Sequence, residues 1–300
     1  MKITLSQYAG FCDGVDRAYK IVEKASKNKK TKKPIYMLGS LVHNEDVVKK
    51  IEKMGVKKLV FEGSVKKTLK GVKGKIGTII VTAHGFGPAL YNYANKNGIE
   101  IIDTTCPRVI KVQRLAKIFS DRGSQLVILG EKKHKEVKGI FEWANKKGKI
   151  IGDDLDLKKL KLDSKKEVVL ISQTTQNEKL FKKIADGLTK KKYPIRTRIE
   201  ASKLQIFNTI CNTTHKRQEE TRKMAEVNDV MVVIGSTRSS NSNRLNEISC
   251  ELNSQTYFIA DEKNIRKNWF KNCKKVGVMA GASTPKWVIQ NVLKKIESFK

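Results

Sequence analysis

Short apolar runs alternate with amphipathic stretches along the whole chain, and the alternation repeats three times. Each repeat holds three units in which an apolar run passes through a polar turn into a helical pattern, with a period of roughly one hundred residues. Strands that alternate with helices predict parallel sheets, and this period is too long for a solenoid. The sequence therefore predicts an α/β fold of three lobes, with boundaries at 14–105, at 106–207, and at 1–13 together with 208–300.

Reactive or phosphate-binding side chains occupy every predicted strand-to-helix turn. Ligands of open α/β sheets bind at the carboxyl ends of the strands, so we expect these turns to line one cavity. The first turn of each repeat carries a cysteine, namely Cys12, Cys106 and Cys211. The remaining turns carry His43, His84, His134, Glu136, Thr174, Thr175, Ser239, Ser240, Asn241, Ser283 and Thr284.

The three equivalent cysteines predict a shared metal centre. A helix start favours the thiolate, which is the form that binds metals, and both zinc and iron–sulfur clusters accept such ligands. The chain has no C-x-x-C pair, so single ligands from three lobes and one open coordination position are favoured. The other two cysteines, Cys250 and Cys273, are interpreted as buried small hydrophobic residues.

The other turns suit an anionic substrate and proton transfer. The histidines could bind metal, contact phosphate or supply protons. Glu136 follows His134 by two residues and is either a carboxylate near a helix dipole or a buried proton donor, and its spacing leaves both readings open. The hydroxyl-rich turns GSTRSSNSNRL and AGASTP begin helices, where unpaired N–H groups bind phosphate. There is no Walker A pattern, and we predict no nucleotide cofactor.

Composition narrows the class of protein. The chain has 300 residues, 39% of them apolar, and a net charge of +32 from lysines that are spread along its length. Dispersed lysines are more typical of a solvated surface than of a nucleic-acid-binding site. Their positive field would still attract a small anionic substrate. No apolar run is long enough for a bilayer span and the N-terminus does not resemble a signal peptide, so a cytoplasmic protein without a membrane partner is expected. Two alternatives to an enzyme with a metal centre are a non-catalytic iron–sulfur electron carrier and a basic RNA-binding protein with structural zinc.

Nine ordered motifs carry a resemblance to a known family. They are GFCDGVDRA, LVHNEDVV, TAHG, DTTCP, HKEVKG, QTT, NTICNTTHKRQ, GSTRSSNSNRL and AGASTP. The chain resembles the 4-hydroxy-3-methylbut-2-enyl diphosphate reductase family from about residue 8 to residue 290. The loop GEKKH before His134, and Thr237 with Arg238, depart modestly from the family pattern.

The resemblance implies a fold, a cofactor and a reaction. Three pseudo-symmetric α/β lobes with parallel sheets would surround one [4Fe–4S] cluster held by Cys12, Cys106 and Cys211. The positions that match the family's substrate site are His43, His84, His134, Thr174, Ser239, Ser240, Asn241 and Ser283. Glu136 matches the family's proton-relay carboxylate. The implied reaction is a two-electron reductive dehydroxylation that yields isopentenyl and dimethylallyl diphosphates, with electrons from a ferredoxin or a flavodoxin.

Overall fold

The computed structural model describes residues 1–72, 75–163, 165–192 and 204–299. The strands in these ranges are β1 Lys2–Leu5, β2 Ile35–Leu38, β3 Val56–Leu59, β4 Thr78–Val81, β5 Glu100–Asp103, β6 Gln125–Leu129, β7 Lys149–Ile151, β8 Val168–Ser172, β9 Leu204–Ile206, β10 Val230–Ile234, β11 Thr256–Ile259 and β12 Lys275–Ala280. The α-helices are α1 Asp13–Lys27, α2 Glu45–Lys53, α3 Val65–Lys70, α4 Pro88–Lys96, α5 Pro107–Asp121, α6 Lys135–Trp143, α7 Asp154–Lys159, α8 Glu178–Lys192, α9 Asn212–Val227, α10 Ser240–Leu252 and α11 Lys286–Glu297.

The described strands form three four-stranded sheets. Their orders are β1-β12-β10-β11, β3-β2-β4-β5 and β7-β6-β8-β9, and every pairing between neighbours is parallel. The central strands read as continuous apolar runs such as TIIV and VMVVI, because helices cover both faces of a parallel sheet. The predicted α/β class with parallel sheets in three sets is confirmed, whereas the three lobe boundaries stay a prediction.

The chain forms two compact units. The first consists of Met1–Lys20, Ser40–Met54 and Asn212–Lys300, and the second consists of Ile21–Gly39 and Gly55–Cys211. The sheet β1-β12-β10-β11 belongs to the first unit, and the other two sheets belong to the second.

Alternate residues of one strand build the two cores of the first unit. Val232 and Ile234 of β10 pack in a cluster with residues of α11, such as Val292. Met231 and Val233, on the other face, pack with Met224 of α9 and with a leucine of α10. The period of two along the strand therefore gives each face its own helices.

The second unit follows the same rule around β6 and β8. One face of that sheet contributes Leu126 and Ile128 to a cluster with α5 and α6. The opposite face contributes Val127 and Leu129 to a cluster with α8. Because helices cover both faces of the sheet, its carboxyl edge remains open, and the turns that carry polar residues lie there.

Two cysteines differ from their predicted burial. Cys250 is exposed, so the interpretation of this residue as a buried hydrophobe is wrong. It follows Ser249, which α10 buries, and the next position on a helix turns toward solvent. Cys273 is half-buried and packs against the core of the first unit. None of the described helices has the length and apolar character needed to cross a membrane.

Candidate functional site

Three of the predicted site residues meet at the carboxyl ends of β6, β8 and β9 in the second unit. Because β8 lies between β6 and β9, the turn after β8 is flanked by the turns that follow the other two strands. Thr174 N donates a hydrogen bond to Glu136 Oε1 at 2.7 Å, and Thr174 Oγ1 donates to Oε2 at 2.9 Å. Thr174 O accepts a hydrogen bond from Cys211 N at 2.8 Å. Thr174 therefore connects the Glu136 carboxyl group to the peptide of Cys211.

Glu136 is a buried acid. Only 2% of its surface is exposed, and burial raises its pKa to about 7 against the opposing effect of the two hydrogen bonds from Thr174. A carboxyl group with this pKa is half protonated at neutral pH, so it can release a proton and take one back. The structure places Glu136 in the first turn of α6 and also buries it, so the residue lies near the helix dipole and in a shielded setting.

His134 and His84 bring the turns of two sheets together within the second unit. His134 Nδ1 accepts a hydrogen bond from Glu136 N at 3.2 Å, so His134 caps α6. The ring centroids of His84 and His134 lie 5.5 Å apart, with the ring planes at 77°. Burial, with a smaller contribution from the Lys135 ammonium, lowers the pKa of His134. A neutral imidazole can donate at one nitrogen and accept at the other.

The turn that carries Cys106 is tied to the turn of His84. Cys106 N donates to Ala83 O at 3.0 Å, across the neighbouring ends of β4 and β5. The Asp103 carboxylate accepts from Thr105 N at 2.8 Å and from the Tyr91 hydroxyl at 2.8 Å. These bonds fix the segment that leads into Cys106. Pro107 takes the first position of α5, as its missing N–H predicts.

In the first unit, the turns after β1, β10 and β12 lie at one edge of the sheet and carry the predicted residues Cys12, Ser239, Ser240, Asn241 and Ser283. β12 lies between β1 and β10, so the turn that carries Ser283 is flanked by the loop to Cys12 and by the turn of Ser239–Asn241. Ser239 caps α10 and accepts a hydrogen bond from Ser242 N at 3.3 Å. The start of a helix of this length carries a partial positive charge and unpaired N–H groups.

Buried polar atoms in this region have no hydrogen-bond partner among the described residues. They include Asn241 Nδ2, Ser242 Oγ and Ser283 Oγ. Buried polar groups are normally hydrogen-bonded, so donors gathered at a helix start fit an anionic ligand. Ser242 approaches Gly235 and Gly281 so closely that a Cβ at either glycine would overlap its side chain. The two glycines therefore allow α10 to approach the strand ends.

His43 lies in the turn that leads into α2 and is half-buried. Asn44 caps that helix through a hydrogen bond from Val47 N to Asn44 Oδ1 at 3.1 Å. Arg238 Nη2 contacts Glu45 Oε1 at 2.8 Å, which links the turn before α10 to the first residue of α2. Arg238 was noted as a departure from the family pattern, and here it joins two turns of the first unit.

The cysteines suit a thiolate-ligated cofactor. Cys12, Cys106 and Cys211 are half-buried, and none of the five cysteines, all in described ranges, forms a disulfide. Each of the three comes directly before an α-helix. Thiolates are the ligands of iron–sulfur clusters and of many zinc sites, so this donor set fits either group.

Sequence reasoning missed the residues that hold these turns in place. Asp103 and Tyr91 bind each other at 2.8 Å beside Cys106, and Glu220 binds the loop that leads to Cys12. The motif DTTCP contained Asp103, but its partner is twelve residues away in α4. Glu220 belongs to a polar helix whose pattern predicts only an exposed face.

Comparison with known proteins gives a family for the whole chain. Residues 3–297 match the family model described as LytB protein. A relative from Geotalea uraniireducens (strain Rf4), named 4-hydroxy-3-methylbut-2-enyl diphosphate reductase, is 38% identical over 298 residues, covering 99% of this chain and 97% of the relative. A relative of the same name from Caldanaerobacter subterraneus subsp. tengcongensis is 39% identical over 302 residues, covering 100% of this chain and 98% of the relative.

Two solved structures are similar to the chain. The E-1-hydroxy-2-methyl-but-2-enyl-4-diphosphate reductase from Plasmodium falciparum matches with a TM-score of 0.85 and 28% identity, over 98% of this chain and 87% of that one. A structure of (E)-4-hydroxy-3-methyl-but-2-enyl diphosphate reductase matches with a TM-score of 0.68 and 34% identity, over 99% of both chains. The match to the family model and the full-length relatives agree with these folds, so the chain belongs to the LytB family and is an oxidoreductase.

Proposed function

We propose that this chain is an iron–sulfur reductase that converts (E)-4-hydroxy-3-methylbut-2-enyl diphosphate into isopentenyl and dimethylallyl diphosphates. Family membership supports the substrate class, since the full-length relatives carry the name of this reductase. The observation that carries the proposal is the buried carboxyl group of Glu136, which Thr174 connects to the peptide of Cys211. A reductive removal of hydroxyl requires a proton donor, and a buried carboxyl group that is half protonated at neutral pH can serve as one.

The proposed cofactor is one [4Fe–4S] cluster whose protein ligands are Cys12, Cys106 and Cys211. The donor set fits such a cluster, because the three half-buried thiols form no disulfide and each comes directly before a helix. When bound, the cluster would supply electrons and one iron without a protein thiolate as a Lewis acid for the substrate hydroxyl. The protein residues would bind and orient the substrate, exclude water and manage protons.

The diphosphate group would be bound by the polar side chains that match the family's substrate site. On the first unit, Asn241 Nδ2 and Ser283 Oγ are buried without a described partner, near the positive start of α10. The complete proposed set is His43, His84, His134, Thr174, Ser239, Ser240, Asn241 and Ser283. Hydroxyl, amide and imidazole donors can bind a diphosphate without a nucleotide motif.

Glu136 would act as the proton donor. With a pKa of about 7, its protonated form is populated at neutral pH, and Thr174 holds both carboxyl oxygens. The reaction consumes two electrons and two protons per substrate: the C–O bond breaks, the hydroxyl leaves as water, and a C–H bond forms at one of two carbons. The final position of that C–H bond distinguishes the two products.

The proposed electron donor is a ferredoxin or a flavodoxin. Such carriers are small redox proteins, and a chain with a net charge of +32 attracts acidic partners over long distances. The cytoplasmic location and the exclusion of nucleic-acid and membrane partners stay predictions.

The experiment that tests the proposal is anaerobic purification followed by iron and acid-labile sulfide analysis and titration with the diphosphate substrate. We expect about four iron atoms and four sulfides per chain, and a cluster spectrum that changes on titration and saturates. A full cluster whose spectrum ignores the diphosphate would favour the non-catalytic electron carrier. Zinc without labile sulfide, together with strongly salt-dependent RNA binding, would favour the RNA-binding protein.

A further inference from the structure

One carboxylate of α9 holds the loop between β1 and α1. Glu220 Oε1 accepts a hydrogen bond from Gln7 N at 2.9 Å, and Glu220 Oε2 accepts from Tyr8 N at 3.3 Å. The Ser6 hydroxyl also donates to Oε2. A single carboxylate that accepts from three consecutive residues fixes the backbone of that segment.

A second residue of α9 binds the same loop. Arg217 Nη2 donates to Gly10 O at 2.8 Å, and the arginine is only 3% exposed. Arg217 and Glu220 are three residues apart and so share one face of the helix. Gly10 has a φ of +96°, and a Cβ there would lie 3.0 Å from Ile289 Cδ1 of α11. The loop is therefore confined by two helices.

The loop held in this way ends at Cys12. Ser6 N continues the pairing of β1 with β12 by donating to Val278 O at 2.9 Å, and α1 begins directly after Cys12. Between these two points, Glu220 and Arg217 bind the loop from α9, Gly10 N donates to Ala280 O at 3.5 Å, and the Phe11 ring packs against Trp287. We propose that Glu220 is a positioning residue that, together with Arg217, fixes residues 6–10 against α9 and so sets the position of the Cys12 thiol.

The link between Glu220 and the cluster rests on the proposed function. The position of the loop against α9 is inferred from the hydrogen bonds of Glu220 and Arg217 and does not depend on a cluster. The two parts can therefore be tested separately, one on the metal-free chain and one on the loaded protein.

The first test changes Glu220→Gln in the metal-free chain. An amide has one acceptor oxygen, so its NH₂ group must face either Gln7 N–H or the donors at Oε2. The matched control is Glu219→Gln, since Glu219 is exposed and its carboxylate lies 3.3 Å from Nε2 of His215 in the same helix. The readout is the rate of iodoacetamide alkylation of Cys12, measured by peptide mass spectrometry relative to Cys106.

We expect Glu220→Gln to raise the alkylation of Cys12 relative to Cys106 by about fivefold, and Glu219→Gln to leave it unchanged. A second control, Val292→Ala, weakens the core of the first unit away from the loop. If the Cys12 to Cys106 ratio of Glu220→Gln equals that of either control, the positioning role is overturned, because a general loss of stability would then explain the result.

The second test uses the reconstituted protein. We expect Glu220→Gln to lose iron to a chelator about fivefold faster than wild type and to shift the reduction potential of the cluster, whereas Val292→Ala changes only the unfolding temperature. An unchanged potential and an unchanged rate of iron loss would overturn the link to the cluster. If the wild-type chain takes up no cluster at all, the proposed function fails, while the alkylation ratio still decides whether Glu220 positions Cys12.

Discussion

Glu136 and Thr174 form a two-point contact in which one residue binds both oxygens of a buried carboxyl group, at 2.7 Å from Thr174 N and 2.9 Å from Thr174 Oγ1. These bonds favour the ionised carboxylate, whereas burial favours the neutral acid, and the balance is a pKa of about 7. The carbonyl of the same threonine accepts from Cys211 N at 2.8 Å. One residue thus sets both the orientation of the acid and its distance from a proposed cluster ligand.

The first prediction concerns the proton role of Glu136. The variant Glu136→Gln keeps the size of the side chain and removes the acidic proton, so we expect it to retain the cluster and substrate binding. Steady-state turnover should fall by about 100-fold or more, the range typical of a lost general acid. The control is Glu226→Gln, an exposed residue of α9, which should behave as wild type. Normal turnover in Glu136→Gln would refute the role.

The second prediction follows from the raised pKa of Glu136, about 7 in the folded chain against the model-peptide value of 4.5. The native state holds a proton that the unfolded chain has already lost, so the free energy of unfolding should fall as the pH rises from about 4.5 to about 7. Over this pH range, the raised pKa of Glu136 accounts for a loss of about 3 kcal/mol in the free energy of unfolding. Chemical denaturation at several pH values should show this loss in wild type relative to Glu136→Gln, and parallel curves for the two proteins would contradict the raised pKa.

The third prediction concerns the cysteines. We expect Cys106→Ser to impair cluster assembly, because a serine hydroxyl would replace a proposed thiolate ligand. Iron per chain after anaerobic reconstitution measures the effect. Cys250→Ser is the matched control, since Cys250 is an exposed residue on α10. A Cys106→Ser protein with the iron and sulfide content of the control would exclude Cys106 as a ligand.

The fourth prediction concerns the approach of α10 to the strand ends. A Cβ in Gly281→Ala would overlap the Ser242 hydroxyl and lie 3.5 Å from Asn241 Nδ2, so Ser242 must shift beside the donor of Asn241. We expect the KM for the diphosphate to rise about tenfold with a smaller change in kcat, since Asn241 and Ser283 are proposed to bind the diphosphate and not to transfer protons. Gly152→Ala is the control, because a Cβ there meets only Asp156 Oδ2 at 3.5 Å. A change confined to kcat would contradict the binding role.

The fold was predictable because its signal is local. Apolar runs such as those of β4 and β10 indicate buried parallel strands without any tertiary information, and the turns that follow them identify the candidate residues. The position of Glu136 was predictable for the same reason. Its burial and its raised pKa were not, because they depend on Thr174, which lies 38 residues away.

The residues that hold the turns of the site in place could not be predicted from the sequence. Glu220 binds Ser6 and Gln7 across more than 200 positions, and the polar pattern of α9 predicts only solvent on that face. The close approach of Ser242 to Gly281 depends in the same way on which strands are neighbours. Hydrogen bonds between distant turns follow from the order of strands in the sheet, which local patterns do not encode.

The central claim is that this chain removes the hydroxyl of an allylic diphosphate by reduction. The direct measurement is product analysis after anaerobic incubation of the reconstituted protein with (E)-4-hydroxy-3-methylbut-2-enyl diphosphate and a reduced one-electron carrier. We predict isopentenyl and dimethylallyl diphosphates in a total that equals half the electrons consumed. Recovery of unchanged substrate from a protein with a complete cluster and reduced carrier would contradict it.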